Sequence, residues 1–89
     1  MKVAYKPSFI RDLKRIKGDL YERIRDLCFE EIPQYDRLED VPLDVKKIAG
    51  FKEFYRIRIG DYRIGVQWDG EMLVFMRVLH RRDIYRYFP

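Results

Sequence analysis

The residues on either side of Gly60 and Asp61 alternate between apolar and polar, and this pattern constrains the fold more than any other. The apolar members are Tyr55, Ile57, Ile59, Tyr62, Ile64, Val66 and Trp68. Successive side chains of a β-strand point to opposite faces of a sheet. The pattern therefore predicts two half-buried strands joined by a two-residue turn.

Arginine occupies most of the polar positions of this hairpin. With a two-residue loop, Arg58 lies opposite Arg63 and Arg56 lies opposite Gly65, so the three arginines share one face. Like charges placed directly opposite each other destabilise a sheet by about 0.2–1 kcal/mol, and folding does not require them. Alternating arginine is also common on the solvated face of a half-buried sheet, and that interpretation stays open.

Asp69 and Gly70 predict a second two-residue turn, followed by an apolar strand from Met72 to Leu79 of the kind buried on both faces. This register places Arg63 opposite Met76. It also directs four further side chains to the arginine face, namely Val74, Met76, Val78 and His80. An apolar floor with a cationic rim suits a nucleotide, and Gly65 leaves space opposite Arg56.

The first half of the chain has helical spacing. A short edge strand over residues 2–6 is followed by a helix that Ser8 caps and Gly18 ends. A second helix, from Asp19 to Pro33, completes a helical hairpin. Cys28 falls on the apolar stripe of that helix and is predicted to be a small core residue.

The remaining segments complete the predicted fold. The acidic stretch from Gln34 to Asp44 predicts a connecting loop, and Arg82 to Phe88 predicts a short terminal helix or an extended tail. The element order is β-α-α-β-β-β. We predict an α+β fold in which the helical hairpin packs on a mainly antiparallel four-stranded sheet. Residues 1–89 are predicted to be one domain, because chains split into separate cores only at several times this length.

The formal net charge of +4 is unevenly distributed. Residues 1–45 contain 9 basic and 10 acidic side chains, whereas residues 46–89 contain 10 basic and 5 acidic ones, so the second half carries +5. Seven of those ten basic residues are arginine, whose planar guanidinium matches phosphate oxygens. The sequence therefore predicts a partner that bears phosphate.

Several classes of protein are excluded by composition. The chain has one Cys, one His and one Ser, and no Gly-rich phosphate loop. This composition does not supply a zinc finger, a Ser-His hydrolase site or a nucleoside triphosphatase site. A single Cys cannot form an internal disulfide, and no apolar signal segment follows Met1, so we expect a protein of the reducing cytoplasm with no membrane segment.

A phosphate-bearing partner with a 2′-hydroxyl offers a specific chemistry. Cleaving RNA without a metal needs the 2′-hydroxyl deprotonated, the leaving 5′-oxygen protonated and the extra charge on phosphorus stabilised. Arginines can stabilise that charge. His80 and Tyr85 are the side chains available to move protons.

Two runs of the sequence resemble a known family. The segment from Tyr55 to Ile64 (YRIRIGDYRI), followed by Val78 to Tyr85 (VLHRRDIY), is similar to the RelE branch of the RelE/ParE toxin superfamily. The resemblance implies a toxin of a type II toxin-antitoxin system. It further implies a ribosome-dependent, metal-independent endoribonuclease that needs no cofactor, cuts messenger RNA through the 2′-hydroxyl and so inhibits translation.

By position, the resemblance implies a catalytic set of six residues: Arg56, Arg58, Arg63, His80, Arg81 and Tyr85. The other basic residues of the second half are the candidate RNA-binding set: Lys46, Lys47, Lys52, Arg77, Arg82 and Arg86. The implied partners are the ribosome, its messenger and a cognate antitoxin in a hetero-oligomer. Such an antitoxin would neutralise or cover the arginine face.

Two alternatives remain open. ParE-like proteins have the same fold, inhibit DNA gyrase and lack the basic and tyrosine residues of the nuclease. A non-catalytic RNA-binding module would also use the arginine face. Fold alone does not decide among these functions.

Overall fold

The computed structural model describes residues 1–89, which form one five-stranded sheet with helices packed on it. The strands are β1 (Lys2–Tyr5), β2 (Asp44–Lys47), β3 (Phe54–Ile59), β4 (Tyr62–Trp68) and β5 (Met72–His80). The helices are α1 (Pro7–Lys14), α2 (Gly18–Asp26) and α3 (Ile84–Tyr87). The strand order is β1-β5-β4-β3-β2, with β1 parallel to β5 and every other pair antiparallel.

The predicted α+β class and the helical hairpin are confirmed, but the predicted number of strands is wrong. The fifth strand is β2, which begins at Asp44, the residue assigned to the end of the acidic loop. It pairs with β3 and places Val45 opposite Ile57. Three of its four residues are charged and exposed, so its sequence lacks the apolar alternation that reveals a strand.

The main core lies between one face of the sheet and the helices α1 and α2. It contains sixteen buried apolar residues, and its largest members include Phe9, Ile24, Ile57 and Phe75. Cys28 is also fully buried there, as predicted. Tyr5 stacks between Phe29 and Phe75, with ring centroids 4.1 Å and 5.1 Å away. The longest helix, α2, has nine residues, and none of the helices could span a membrane.

The helix boundaries differ from the prediction in three places. The first helix ends at Lys14, and Gly18 begins the second helix instead of ending the first. The first helix begins at Pro7, whose fixed φ and missing N–H suit a first helical position. Ser8 therefore does not cap it, and its hydroxyl instead donates to the Met76 carbonyl at 2.7 Å. The second helix keeps its α geometry only to Asp26, and residues 27–31 form a π-helical turn that a period of 3.6 does not predict.

The register between β4 and β5 also differs. Trp68 pairs with Leu73, so the second turn is longer than two residues. The carboxylate of Asp69 accepts hydrogen bonds from the amides of Glu71 and Met72 within that turn. This change shifts the pairing by two residues and leaves every side chain on its predicted face.

A bulge between Gly65 and Val66 shifts the pairing by one residue more. A shift of one exchanges the two faces of a strand. Val78 and His80 therefore lie on the core side, opposite Ile64 and Tyr62, and their predicted placement on the arginine face is wrong. Arg63 lies opposite Leu79 rather than Met76. Met76 falls at the bulge.

Helix α1 covers the edge of β5 that the short strand β1 leaves open. The carboxylate of Asp12, only 3% exposed, accepts hydrogen bonds from Arg77 Nε at 2.7 Å, Arg77 Nη2 at 3.0 Å and the Val78 amide at 3.1 Å. The bond to Asp12 also raises the pKa of Arg77. One buried carboxylate thus attaches the helical layer to the edge of the sheet.

Replacing Asp12 with Asn is expected to lower the free energy of unfolding by about 3 kcal/mol, because breaking a buried pair leaves a charge and a backbone amide without their partner. Urea denaturation followed by circular dichroism measures the change. The exposed pair Arg37–Asp40 provides a matched control, since Asp40→Asn is expected to leave the midpoint unchanged. Equal effects of the two substitutions would contradict this role for Asp12.

Candidate active site and nucleic-acid interface

The hairpin of β3 and β4 has the register predicted from the sequence. Arg58 lies opposite Arg63, and Arg56 lies opposite Gly65. The three arginines therefore share the face of the sheet that is turned away from the main core. Strand β2 adds Lys46 to this face, directly opposite Arg56. We call this surface the arginine face.

The three arginines differ in how much of their charge is already paired. Arg56 is 9% exposed, and its Nη1 lies 3.2 Å from both the carbonyl oxygen and Oδ1 of Asp44. Arg63 donates from Nη1 to the carbonyls of Gly60 and Tyr62 at 2.8 Å and 3.0 Å. Arg58 is exposed and makes no ion pair. Its guanidinium is free to bind an anion.

The space that Gly65 leaves on the arginine face is filled by the C-terminal residues. A Cβ built on Gly65 would lie 2.6 Å from Cγ of Phe88, which is itself 3% exposed. Phe54 contacts the same ring edge-on at 5.6 Å. The prediction of open space at Gly65 is therefore wrong, since the chain's own Phe88 occupies it.

Ile84 and Phe88 are both buried on the sheet, and Tyr85, which lies between them in the chain, is beside Arg56. The two side chains line a groove of about 370 Å³ together with Lys46, Lys47, Ile48 and Ala49. Tyr85 itself is 60% exposed. We call this the Tyr85 groove. It combines three cationic side chains with a phenol and contains no acidic lining residue.

Two other members of the predicted catalytic set lie at the C-terminal end of β5. His80 is the last residue of the strand, and Arg81 follows it. The amide of Arg81 donates to the Asp61 carbonyl at 2.7 Å, whereas its Nε is 3.9 Å from the Asp61 carboxylate. Both side chains are highly exposed, so this contact contributes little. His80 packs edge-on against Tyr62, and its Nδ1 accepts hydrogen bonds from the amide and Nε of Arg82. The structure does not bring His80 into the Tyr85 groove.

The predicted RNA-binding residues are dispersed. Lys46 and Lys47 line the Tyr85 groove, and Lys52 lies on the neighbouring loop before β3. Arg77 is bound to Asp12 and lies 5.5 Å from the ring of Tyr87, so its charge is already engaged. Arg82 and Arg86 are exposed near the C-terminus.

Other reactive groups are held in the core. Burial raises the pKa of Cys28, so its thiol stays protonated and shielded. Burial is also the main cause that raises the pKa of Tyr5 to about 12, and its hydroxyl donates to the Cys28 carbonyl. A groove between α1 and α2 has about 440 Å³, but its lining charges, Lys14, Arg25, Asp26 and Glu30, balance each other. None of these features resembles the cationic Tyr85 groove.

Sequence reasoning missed two residues of this site, Asp44 and Phe88. Asp44 was assigned to a loop, and only the pairing of β2 with β3 brings it to Arg56. Phe88 is an apolar residue one position from the end of the chain, where nothing in the spacing indicates burial. The glycine at position 65 of a strand was the available signal, because a strand glycine often marks a close approach of another group.

Comparison with known proteins first defines the class. A family model described as the ParE toxin of type II toxin-antitoxin systems matches residues 3–85. Toxin RelE3 of Methanocaldococcus jannaschii is 47% identical over 89 residues, which cover the whole of both chains. The class is therefore the toxins of type II toxin-antitoxin systems.

Solved structures agree with that class. The crystal structure of the RelB-RelE antitoxin-toxin complex from Methanococcus jannaschii matches with a TM-score of 0.80 and 43% identity, covering 97% of this chain and 99% of that one. The archaeal RelE-RelB complex from Pyrococcus horikoshii OT3 matches with a TM-score of 0.58 and 25% identity over 90% and 93% of the two chains. This chain belongs to the RelE family within the RelE/ParE superfamily, which confirms the resemblance seen in the sequence.

The contact between Gly65 and Phe88 is testable. Gly65→Ala is expected to lower the free energy of unfolding by about 1–3 kcal/mol, because the new methyl overlaps the Phe88 ring and displaces it. In a Phe88→Ala background the same substitution is expected to cost much less, because the ring is gone. Urea denaturation of the two single variants and the double variant gives the coupling between them. Additive effects would contradict the contact.

Proposed function

We propose that this protein is a metal-independent endoribonuclease that cleaves messenger RNA on the ribosome through the 2′-hydroxyl and so inhibits translation. The observation that carries the proposal is the Tyr85 groove, where a phenol lies beside the buried guanidinium of Arg56. Arg58 and Arg63 continue the same face. Membership of the RelE family supports the same assignment.

The arginine face suits binding of an RNA phosphate. Guanidinium groups donate paired hydrogen bonds to phosphate oxygens and cannot be deprotonated in a protein. Arg58 is unpaired, and Arg56 is partly neutralised by Asp44, so a bound phosphate would meet one free and one oriented arginine. Lys46 and Lys47 add positive charge at the other side of the groove.

The proposed reaction is an internal transfer. The 2′-oxygen loses its proton and attacks the adjacent phosphorus, and the bond from phosphorus to the 5′-oxygen of the next nucleotide breaks. The products are a 2′,3′-cyclic phosphate and a 5′-hydroxyl, which receives a proton. Arg56, Arg58 and Arg63 stabilise the added negative charge on the phosphoryl oxygens, as preorganised cations do in other phosphoryl transfers.

Proton transfer falls to Tyr85 in this proposal. The arginines stay charged throughout and cannot act as bases. His80 lies on the core side of β5 and already accepts hydrogen bonds from Arg82. Tyr85 is the side chain in the groove with a hydroxyl, which accepts the proton of the 2′-oxygen as it gives up its own proton, through water, to the leaving 5′-oxygen. The phenol therefore ends the step in the neutral form in which it began. The exposed side chain of Arg81 is assigned to binding another phosphate of the same RNA strand.

The shape of the molecule supports a role for the ribosome. The protein measures 32 × 28 × 23 Å, and the Tyr85 groove is shallow and open to solvent. Such a site binds one nucleotide weakly. Its rate of cleavage would increase if a larger structure held the messenger in the required conformation. The reaction would then take place in the cytoplasm, and the side chains described here would supply the chemistry without a cofactor.

A cognate antitoxin is the second proposed partner. Two of the solved relatives are complexes of a RelE toxin with RelB. We propose that the antitoxin of this protein carries negative charge and covers the arginine face, because that face holds the unpaired cations. Toxin and antitoxin would form a hetero-oligomer in which the Tyr85 groove cannot bind RNA.

Inhibition of DNA gyrase is the second candidate function, and the description of the matching family model as a ParE toxin favours it. ParE-like proteins of the superfamily lack the basic and tyrosine residues of the nuclease, whereas this chain has Arg56, Arg58, Arg81 and Tyr85. Cleavage is therefore the first candidate. A binding module that holds RNA without cutting it is the third.

Substitutions in the groove separate these functions. Tyr85→Phe is expected to lower the rate of messenger cleavage about 10²- to 10⁴-fold, since it removes a positioned proton-transfer group. Arg58→Ala is expected to lower the rate about 10²- to 10³-fold, since it removes a charge that stabilises the transition state. Mapping of new messenger ends in a translating extract measures both rates.

Two exposed residues outside the groove provide matched controls. Tyr87→Phe removes a phenol hydroxyl two residues from Tyr85, and Arg23→Ala removes an unpaired arginine from α2. Both variants are expected to cleave at the wild-type rate. Growth arrest by the wild type with intact messenger and inhibited supercoiling by purified gyrase would favour the ParE-like function. Salt-sensitive RNA binding without cleavage would favour the binding module.

A further inference from the structure

The loop between β2 and β3 presents a large apolar side chain to solvent. Phe51 is 48% exposed and lies between Gly50 and Lys52. About half of the surface of Phe51 stays in contact with water, so packing within the chain does not explain a large apolar residue at this position. An aromatic ring displayed beside cationic residues is the arrangement on which single-stranded nucleic acid stacks its bases.

The Phe51 ring contacts a neighbouring ring, and its loop is closed by backbone hydrogen bonds. Its edge contacts Phe54 at 5.9 Å and 73°, and Phe54 in turn contacts the buried ring of Phe88. The loop backbone is closed by hydrogen bonds from the Ile48 amide to the Phe54 carbonyl and from the Phe51 amide to the Ile48 carbonyl. Binding to a loop that is already closed in this way costs the protein less conformational entropy than ordering a free loop would.

The surface around Phe51 is continuous with the Tyr85 groove. Phe51 lines a groove of about 440 Å³ whose other lining residues are Lys47, Ile48, Ala49, Gly50 and Lys52. Three of these, Lys47, Ile48 and Ala49, also line the Tyr85 groove. Neither groove is lined by an acidic residue, and none of the three lysines that line them, Lys46, Lys47 and Lys52, takes part in an ion pair. The residues shared by the two grooves carry no negative charge, so they suit an RNA strand that occupies both.

We propose that this loop is a second RNA subsite, in which Phe51 stacks on an unpaired base of the cleaved strand while Lys47 and Lys52 bind its phosphates. The inference rests on the proposed function, because it takes the occupant of the Tyr85 groove to be RNA. Phe51 binds a nucleotide beside the scissile bond and takes no part in the chemical step. The subsite therefore contributes to KM and not to kcat.

Kinetics on ribosomes programmed with a defined messenger test the subsite. Phe51→Ala is expected to raise KM about 5- to 100-fold, the effect of losing one base-aromatic stack, with kcat unchanged. Phe51→Trp is expected to restore KM, because a larger ring stacks equally well. Phe29→Ala removes a partly exposed phenylalanine from the helical layer and is the matched control, with KM expected at the wild-type value.

The Phe51→Trp variant also reports stacking directly. The natural chain has one tryptophan, Trp68, which is buried, so the new indole supplies the exposed fluorescence. Binding of 2′-O-methyl RNA oligonucleotides, which cannot be cleaved through the 2′-oxygen, is expected to quench that emission. In the wild type the same oligonucleotides are expected to leave the emission of Trp68 unchanged.

The possible results separate the subsite from the nuclease. Wild-type cleavage with an unchanged KM in Phe51→Ala would overturn the subsite and leave the proposed function intact. RNA binding that does not quench the Phe51→Trp indole would do the same, as would a Phe51→Ala protein that cleaves normally but is no longer inhibited by its antitoxin. Absence of messenger cleavage and of RNA binding in the wild type would overturn both proposals.

Discussion

The pairing of β3 with β4 is the constraint on which the rest of the structure depends. It directs Ile57 and Ile64 to the core and the arginines to the opposite face. Full burial of each isoleucine contributes about 1.5–3 kcal/mol, whereas the opposition of Arg58 and Arg63 costs at most about 1 kcal/mol. A slip by one residue would bury the arginines and expose the isoleucines. The hydrophobic term therefore fixes the register and holds the like charges together.

The C-terminal residues build the site on top of this hairpin. Gly65 has no side chain, so the ring of Phe88 can lie directly on the sheet, and the short helix α3 then places Tyr85 at Arg56. The sheet consequently has apolar contacts on both faces, a large core on one side and a small contact around Phe88 on the other. The position of the phenol therefore depends on the contact between Gly65 and Phe88, which are 23 residues apart in sequence.

Much of this arrangement follows from local sequence patterns, and the rest depends on contacts that those patterns do not contain. Alternation around Gly60 and Asp61 predicts the β3–β4 register and the shared face of Arg56, Arg58 and Arg63, and the structure confirms both. Three of the four residues of β2 are charged, so this strand is recognised by its pairing with β3 and not by its sequence. The contact between Asp12 and Arg77 cannot be predicted from a local pattern either, because these residues are 65 positions apart in sequence.

The bulge at Gly65 shows why the rest of the site resists prediction. One unpaired residue in β5 exchanges the faces of everything after it, which moves Val78 into the core and His80 off the arginine face. No local sequence pattern in β5 predicts the bulge. The exchange of faces is visible in the burial of the side chains, since Val78 is buried and Leu79 is only partly buried.

The distribution of charge links the fold to the proposed chemistry. The apolar face of the sheet is fully used by the helices, so the opposite face is the place where unpaired cations can remain in water. Asp44 and Asp61 each approach one arginine there, but they leave Arg58 unpaired and Arg81 with a contact of 3.9 Å. Water solvates these cations in the free protein, so the surface does not destabilise the fold. A polyanion that replaces this water would bind the surface strongly. Both proposed partners, a messenger strand and an acidic antitoxin, satisfy this condition on the same face, so binding of one would exclude the other.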